Sequence, residues 1–374
     1  MKILFIAGHE FLYHTQNGGQ KCSLRNYSML KKIYGETNVY LCMFSNYKYM
    51  ENSSEIKIFP TQKNNIELFI NTLMLRNVCS RGVMKLVMEY IQKREFDLCF
   101  VDSSIIGGLV EKLHLKVPVV VFFHNIEKNY AWNKFKHEGF KYIVAYYSYY
   151  WNEKKAVRAA DQVILLNRRD EKELQRIYGR SADYLLPISL EDVFEEKKIV
   201  EDFGERMELL FVGSLFQPNY EGILWFVENV MSKLNKEKYL LNIVGKNLEK
   251  KRKELERDHV KVIGTVESLA EFYYSADVVV IPVFYGNGMK VKTAEAMMYG
   301  KKILAADEAL EGYDVQGVEG ICRCNREEEF LEALTHCGKR KFWESVRKLY
   351  ETKYSMEALR KGFQEFLDLV QSSS

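Results

Sequence analysis

The sequence predicts an α/β protein of two domains, each built on a parallel β-sheet with helices on both faces. Its 374 residues exceed what a single hydrophobic core usually supports. Short apolar runs alternate with longer segments of helical period, and this pattern occurs twice along the chain. Between the two sets, residues 191–206 are rich in Glu, Asp and Lys and lack an apolar period. That composition is typical of an interdomain linker, which places the domains at residues 1–190 and 207–354.

The short apolar runs are predicted to be buried strands, because runs of this length next to turn residues are typical of parallel sheets. In the first domain they are residues 3–7, 39–44, 56–59, 98–102, 117–123 and 163–167. In the second domain they are residues 209–212, 241–244, 260–263, 278–283 and 303–306. The last segment, 355–371, carries apolar side chains at spacings of three and four. We predict that it is a helix packing back onto the first domain, since its apolar stripe needs a surface to cover.

Composition excludes several classes of protein. A net charge of +3 without a cluster of Lys and Arg argues against nucleic-acid binding. The seven cysteines are an odd number and sit mostly in apolar runs, which predicts reduced thiols, a cytoplasmic location and no metal site. No run approaches the roughly 18 apolar residues of a membrane-spanning helix, and the first eight residues read as a strand without a signal peptide. Contact with the inner face of a membrane is at most peripheral.

The stretch 278–304 is the most informative part of the chain. An apolar run leads into a loop with Gly286 and Gly288, and good helix formers then continue to a glycine at position 300. Such a loop leaves backbone N–H groups free at a helix N-terminus, where the helix dipole favours an anion. Lys290 and Lys292 add positive charge, and we expect Gly288, Lys292 and Glu295 to share one helix face. A carboxylate about 10 Å along the axis could accept hydrogen bonds from a ribose diol, so the stretch predicts a nucleotide-diphosphate site.

Residues 286–301 resemble the donor-binding signature of glycosyltransferase family four, the group 1 glycosyltransferases. The likeness extends over most of the chain. Its other pieces are residues 17–19, 124–127, 159–164, 211–215 with 218–219, 264 with 266, and 273–277. The resemblance implies the GT-B fold, in which two Rossmann-like domains face each other across a cleft. It also implies a donor bound mainly by the second domain, an acceptor entering from the first, and neither metal nor other cofactor.

The resemblance also implies roles for individual residues. Glu295 matches the glutamate expected to hold the ribose, while Asn287 stands where the family has the first glutamate of a pair. The loop 216–219 lacks the Arg or Lys that many members place there, so Lys290 and Lys292 are expected to meet the phosphate charge. His124 is expected to contact the donor sugar near the reacting carbon. The remaining expected donor-binding residues are Gly18, Gly19, Gly213, Asn219, Gly264, Val266, Gly288 and Met289.

The function that follows is transfer of a sugar, with retention of anomeric configuration, from a nucleotide-diphosphate sugar. UDP is favoured over GDP, and the acceptor is a glycan or a lipid-linked or protein-linked group, as in bacterial surface polysaccharide synthesis. Asn287 leaves an alternative open: a catalytically silent partner subunit that binds nucleotide sugar or acceptor. A dinucleotide dehydrogenase is disfavoured because the first strand leads into Gly8-His9-Glu10-Phe11, which is not a G-x-G-x-x-G turn.

The segment 130–151 combines aromatic residues with neighbouring lysines. A peripheral helix offers such a combination to a lipid interface. A long helix that packs its aromatic side chains into the first domain would have the same composition. The apolar residues do not fall on one clean stripe, so the sequence leaves the two interpretations open.

Overall fold

The structure is a computed structural model that describes residues 1–13, 17–46, 53–61, 65–74, 80–199 and 204–373. Cys79, one of the predicted reduced cysteines, lies outside these ranges. The chain divides into two compact units. The first comprises Met1–Pro187 with Arg360–Ser374, and the second comprises Ile188–Leu359. Each unit holds one parallel sheet, which confirms the predicted two-sheet α/β class.

The first unit contains a seven-stranded sheet in the order β3-β2-β1-β4-β5-β6-β7. All neighbouring strands are parallel. The strands are β1 Ile3–Ala7, β2 Val39–Ser45, β3 Ile56–Pro60, β4 Leu98–Val101, β5 Val119–Phe123, β6 Gln162–Leu165 and β7 Tyr184–Leu185. Its helices are α1 Gly18–Tyr34, α2 Asn65–Leu73, α3 Arg81–Gln92, α4 Gly107–Leu113, α5 Glu127–Glu138, α6 Ile143–Ala159 and α7 Arg168–Tyr178.

The second unit contains a six-stranded sheet in the order β10-β9-β8-β11-β12-β13, again with parallel neighbours. The strands are β8 Met207–Val212, β9 Tyr239–Val244, β10 Val260–Gly264, β11 Val278–Ile281, β12 Lys302–Ala305 and β13 Ile321–Arg323. Its helices are α8 Gln217–Asn229, α9 Arg252–Leu255, α10 Ala270–Ser275, α11 Val291–Met298, α12 Asp307–Leu310, α13 Glu327–Thr335 and α14 Glu344–Leu349. The last helix, α15 Met356–Ser372, begins in the second unit and continues into the first.

The central strands are apolar on both sides because helices cover both faces of each sheet. In β1 all five residues are buried. Leu4 and Ile6 join the core on one face of the sheet. On the opposite face Phe5 stacks on Phe100, and Phe363 of α15 packs edge-on against Phe100 at 6.2 Å between ring centroids. The apolar stripe of the last helix is therefore buried against the first-unit sheet.

Residues 191–199, the described start of the predicted linker, pack within the second unit. The Arg347 guanidinium pairs with the Asp192 carboxylate, and the backbone N–H of Glu195 donates to the Tyr274 hydroxyl at 2.7 Å. The ring of Phe194 stacks on Phe342 with 5.5 Å between centroids. One aromatic residue, an ion pair and a backbone hydrogen bond together hold this segment, although they produce no apolar period in the sequence.

Helix α8 lies against the segment that follows β11, and Gly222 makes this approach possible. A Cβ atom at Gly222 would lie 1.8 Å from the carbonyl oxygen of Pro282. Real side chains do not approach backbone this closely, so any larger residue must push α8 away from the sheet.

We therefore expect Gly222→Ala to lower the free energy of unfolding by about 3 kcal/mol or more. Urea denaturation followed by circular dichroism measures this change. Gly338→Ala is the matched control, because a Cβ atom there would meet nothing within 4 Å. Equal stability of the two variants would show that α8 does not pack at this distance.

Candidate functional site

The predicted second-unit residues gather at the carboxyl edge of their sheet. Strand order reverses between β8 and β11, and ligands of open parallel sheets bind outside the strand ends at such a reversal. Gly213 directly follows β8, Gly264 ends β10, and the loop 282–290 follows β11. Residues that are far apart in the sequence are thus brought to the same edge.

Lys292 is the central cation of this edge. Its Nζ donates a hydrogen bond of 2.7 Å to Oδ1 of Asn219 and lies 4.7 Å from the centroid of the Phe211 ring. A Cβ atom at Gly213 would lie 2.9 Å from the same Nζ, so glycine leaves room for the ammonium group there. Burial, followed by the charge of Lys290, lowers the pKa of Lys292 to about 7. The cluster of Lys292, Asn219 and Gly213 therefore presents an ammonium group that an added anion would stabilise.

Lys290 has a different environment from Lys292. Its Nζ pairs with Oε1 of Glu308 at 2.6 Å and donates to the carbonyl oxygens of Asn287 at 3.2 Å and Gly288 at 2.9 Å. Tyr313 donates its hydroxyl proton to the Lys290 carbonyl oxygen at 2.9 Å. Through these contacts Lys290 stabilises the conformation of the loop 282–290. Its positive charge is already balanced by the Glu308 carboxylate.

The expectation that Gly288 shares a helix face with Lys292 and Glu295 is wrong. Helix α11 begins at Val291, and Gly288 lies before it with φ +64°, in the left-handed region that favours glycine. Met289 is buried and anchors the loop, while Asn287 is partly exposed beside it. Only Lys292 and Glu295, three residues apart, lie on the helix itself.

Glu295 is buried on α11 and oriented by an aromatic neighbour. Oε2 of Glu295 accepts a hydrogen bond of 3.2 Å from the Tyr273 hydroxyl. The Tyr273 ring stacks on Tyr299 with 4.8 Å between centroids. Burial and the adjacent carboxylate raise the pKa of Tyr273 well above its usual value, so its hydroxyl stays a hydrogen-bond donor. The sequence placed Tyr273 in a matching segment but did not show this positioning contact.

Four further predicted residues occupy the ends of strands and helices. The Gly264 carbonyl oxygen accepts from the N–H of Gly245 at 2.7 Å, and Val266 follows two residues later with its side chain partly exposed. Gly18 and Gly19 form the first turn of α1, where the Asn17 side chain caps the N–H of Gln20 at 3.0 Å. Neither Gly18 nor Gly19 has a positive φ. These two glycines are therefore not required by the backbone conformation. What they provide is space, because no side chain of theirs covers the N-terminus of α1.

His124 belongs to a separate polar cluster in the first unit. It directly follows β5, and its Nε2 donates to Asp102, which follows β4, with 3.0 Å to the backbone oxygen and 3.1 Å to Oδ2. Oδ1 of Asp102 accepts from Nδ2 of Asn26 at 2.6 Å. Burial alone would lower the pKa of His124, but the Asp102 charge outweighs it and raises that pKa well above 6.5. The buried pair is thus an imidazolium beside a carboxylate.

Neither Asp102 and Asn26 nor three further neighbours of His124 were predicted from the sequence as site residues. Oγ of Ser23 lies 3.1 Å from Nε2 of His9 and 3.5 Å from Nε2 of His124. Burial and then the His124 charge lower the pKa of His9 to about 4, so His9 is neutral. The Cys22 thiol interacts with the His124 ring, yet Nδ1 of His124 has no hydrogen-bond partner of standard geometry among the described residues. Asp102 was detectable, because it ends a predicted strand next to the sheet reversal at β1 and β4.

Glu153 caps the N-terminus of α5, the helix that follows His124 in the chain. Its Oε1 accepts from the N–H of Glu127 at 2.6 Å and its Oε2 from the N–H of Lys128 at 3.2 Å, which caps the N-terminus of α5. Tyr178 donates its hydroxyl proton to the same carboxyl group at 2.7 Å. Burial raises the pKa of Glu153 to about 8.

Two structural observations bear on metals and membranes. Within the described ranges, no group of three or more His, Cys, Asp or Glu residues could hold a metal ion. The cysteines of these ranges are all free thiols, including Cys322 and Cys324 of the C-x-C sequence. No described helix is both long and apolar enough to cross a membrane.

The fold and this edge define a class of protein. Residues 206–339, which contain β8 to β13 and the cluster around Lys292, match the family model described as Glycosyl transferases group 1. The second unit therefore carries a group 1 glycosyltransferase domain. The GT-B fold class is confirmed by the two parallel-sheet units together with full-length matches to glycosyltransferase structures.

Particular relatives agree with that class. A protein of Methanocaldococcus jannaschii named Uncharacterized glycosyltransferase MJ1069 is 23% identical over 309 residues, which are 74% of this chain and 76% of that protein. Sucrose-phosphate synthase from Thermosynechococcus elongatus matches over 100% of both chains with a TM-score of 0.75 and 16% identity. Anabaena HepE, solved with UDP and glucose, matches over 98% of this chain and 99% of that chain with a TM-score of 0.69 and 14% identity.

Proposed function

We propose that the protein is a retaining glycosyltransferase that takes its sugar from a nucleotide-diphosphate sugar, with UDP favoured over GDP. The observation that carries the proposal is the convergence of Lys292, Asn219 and Gly213 at the sheet reversal, one helical turn from the Glu295 carboxylate. A cation and backbone groups suit a diphosphate, and a carboxylate suits a ribose diol. Anabaena HepE has been solved in complex with UDP and in complex with UDP-glucose, which supports the choice of nucleotide.

The chemistry requires stabilisation of the departing nucleotide diphosphate while the sugar carbon becomes positively charged. In the proposed reaction Lys292 and the N–H groups at the start of α11 supply the positive charge, held in place before the reaction begins. The acceptor hydroxyl attacks on the face of the leaving phosphate, and that phosphate takes the hydroxyl proton. No metal takes part in this scheme. The acceptor is a glycan or a lipid-linked or protein-linked group, and the setting is bacterial surface polysaccharide or glycoconjugate synthesis in the cytoplasm.

His124 is proposed to act on the transferred sugar. With Nε2 held by Asp102 and Nδ1 buried, the His124 imidazolium is proposed to act on the sugar through its positive charge. Asp102, Ser23 and Asn26 then serve as positioning residues that fix the ring. In the second unit, Asn287, Gly288 and Met289 complete the sugar and diphosphate contacts, while Gly264 and Val266 lie beside the nucleotide.

Calorimetric titration with UDP, GDP and their sugars tests the proposal directly. We expect saturable binding of UDP species in a metal-chelating buffer, with the same affinity after magnesium is added. Lack of binding by every nucleotide would contradict the donor site. Binding that requires magnesium would contradict the metal-independent scheme.

We expect Glu295→Ala to weaken UDP binding by roughly 10- to 100-fold, because it removes a charged acceptor for the ribose hydroxyls. Tyr273→Phe should have a smaller effect in the same direction, since it removes only the hydrogen bond that orients the carboxylate. Calorimetric dissociation constants measure both effects. Glu237→Ala is the matched control, an exposed glutamate on the same unit before β9. Unchanged UDP affinity in Glu295→Ala would place the ribose elsewhere.

A catalytically silent partner subunit is the second candidate. It is favoured by Asn287, which stands at the position of an expected glutamate, and by the Lys290–Glu308 ion pair, which already balances the charge of one of the two predicted lysines. The two candidates differ in the fate of a bound donor. A panel of acceptors incubated with a donor that binds should give a glycosylated product from the enzyme, while binding without release of UDP from any acceptor would favour the partner subunit.

A further inference from the structure

Helix α6 has its polar and small residues on the inside. The buried residues of this 17-residue helix are Ser148, Asn152, Glu153 and Ala156. The Asn152 side chain accepts from the N–H of Gly108 at 3.0 Å and donates to the carbonyl oxygen of Ser148 at 2.9 Å. A Cβ atom at Gly107 would lie 2.0 Å from the Asn152 carbonyl oxygen, so α4 touches the backbone of α6. The inner face is therefore filled by a close helix contact that has no room for aromatic rings.

Four aromatic residues of α5, α6 and the 3₁₀ turn Phe140–Tyr142 lie at the surface. Phe140 is 82% exposed, Tyr147 58%, Trp151 42% and Trp132 38%. Trp132, Phe140 and Tyr147 belong to one connected group of rings, bridged by Phe135 and Tyr146 with 5.1 to 5.4 Å between centroids. Trp151 lies farther along α6, which packs against α5. The interpretation that this segment packs its aromatic side chains into the domain core fails for these four residues.

Helix α2 adds a second apolar surface next to the first, because α2 packs against α6. Large apolar side chains are exposed along α2 and at the residue after its end: Ile66, Phe69, Ile70, Leu73 and Met74. Single exposed apolar residues are ordinary on a protein surface, but a contiguous group on adjacent helices marks an interaction site. We use the name aromatic face for these five apolar residues together with Trp132, Phe140, Tyr147 and Trp151.

Lysines lie among the rings of this region. Lys134 is 5.1 Å from the ring centroids of Tyr130 and Tyr142, Lys136 is 5.6 Å from Trp132, and Lys154 is 5.0 Å from Trp151. Residues 127–159 contain seven Lys and Arg but three Glu, and one of those carboxylates, Glu153, is buried. The outer charge of the segment is therefore positive.

We propose that the aromatic face docks onto an anionic lipid bilayer. Aromatic rings and aliphatic side chains insert at the boundary of headgroups and acyl chains, while lysine stems extend along them and keep the ammonium groups at the lipid phosphates. A folded protein partner with an apolar surface would have to desolvate these lysines, which makes it the poorer fit. This inference stands independently of the donor site, since its residues belong to the first unit and none of them is assigned to nucleotide binding.

Flotation of the full chain with vesicles tests this docking. We expect binding to phosphatidylglycerol vesicles, little binding to phosphatidylcholine vesicles, and release as salt is raised to about 1 M, where the screening length falls to about 3 Å. In a Trp225→Phe/Trp343→Phe background only Trp132 and Trp151 remain, and their emission should shift to the blue on binding. No flotation with phosphatidylglycerol, or an unchanged emission maximum, would overturn the proposal.

Two matched pairs of variants locate the surface. Phe69→Ser/Trp151→Ser should reduce vesicle affinity by about tenfold or more, whereas Leu369→Ser, at a residue 66% exposed on α15, should not. Vesicle affinity should also fall in the triple variant Lys134→Gln/Lys136→Gln/Lys154→Gln. It should not fall in the control triple variant Lys236→Gln/Lys261→Gln/Lys348→Gln, whose substitutions lie on the second unit. Equal loss in test and control variants would overturn the proposal. Sedimentation could also show that the chain self-associates through this face and that the oligomer binds vesicles while the monomer does not. That result would overturn the proposal, because the face would then be buried between two copies of the chain.

A UDP titration of each variant keeps the two proposals separate. Unchanged UDP affinity with lost vesicle binding supports the aromatic face as a lipid surface. Absence of UDP binding in the wild-type chain, together with normal vesicle binding, would contradict the proposed function and leave the lipid surface standing.

Discussion

Lys292→Met is expected to reduce the rate of sugar transfer by roughly 100- to 1,000-fold, the largest effect we predict for a single substitution. Methionine keeps much of the apolar stem that packs near Phe211 but removes the ammonium group that donates to Asn219. The departing diphosphate then loses its principal cation, because Lys290 is already paired with Glu308. Initial rates with saturating UDP-sugar, together with calorimetric UDP binding, measure the loss.

Lys261→Met is the control for this experiment, since it replaces an exposed lysine of β10 in the same unit. Circular dichroism of both variants tests whether each still folds. If Lys292→Met retained wild-type turnover and UDP affinity, the cation at this edge would have no part in donor binding. If Lys290→Met were the more damaging substitution while the protein stayed folded, the roles assigned to the two lysines would have to be exchanged.

The lowered pKa of Lys292 gives this prediction a second readout. With a pKa of about 7, the amine is mostly neutral at pH 8, and a bound diphosphate favours its charged form. Binding of UDP at pH 8 should therefore take up a proton, and uptake should diminish toward pH 6, where the amine is already protonated. Calorimetry in buffers of different ionisation enthalpy measures the proton count. Lys292→Met should abolish this uptake.

His124→Ala is expected to lower the free energy of unfolding by about 3 kcal/mol near neutral pH. The substitution leaves the Asp102 carboxylate buried without its cation, with Asn26 and Ser23 as its remaining side-chain donors in the cluster. We also expect turnover to fall more than UDP affinity, because His124 is assigned to the sugar and not to the nucleotide. Urea denaturation, UDP calorimetry and initial rates measure the three quantities. Wild-type stability would show that the pair contributes nothing, and parallel loss of binding and turnover would contradict the assignment to the sugar.

The double variant His124→Gln/Asp102→Asn removes both charges but keeps side chains of similar size. It therefore isolates the contribution of the charges to the free energy of unfolding. The folded pKa of His124 is raised, so its contribution is complete below about pH 6.5 and is lost as pH rises through the folded value. The folded pKa of Asp102 is lowered, so its contribution is present above about pH 4 and is lost as pH falls. The stability difference between wild type and the double variant should therefore be greatest between these values. A difference that does not change from pH 4 to 9 would contradict the buried ion pair.

Most of the strands were predictable from the sequence because each has its signal in its own residues. The apolar runs at Val119–Phe123 and Val278–Ile281 need no partner to be recognised. Strands β7 and β13 were missed, since Tyr184–Leu185 and Ile321–Arg323 are short and incompletely buried. Their place is set by pairing with β6 and β12, which no local pattern contains.

The candidate site divides in the same way. The sequence alone determined the glycine loop before α11, the order of Lys292 and Glu295 on that helix, and the location of His124 at a strand end, because these depend on local spacing. Only the tertiary structure decided that Lys292 meets Asn219, that Glu308 neutralises Lys290, and that Asp102 and Ser23 surround His124. Only the tertiary structure also decided that the buried face of α6 is the one with polar and small residues. These contacts join residues from different elements, and they are decided by sheet register and helix rotation, which the packing of the whole domain sets.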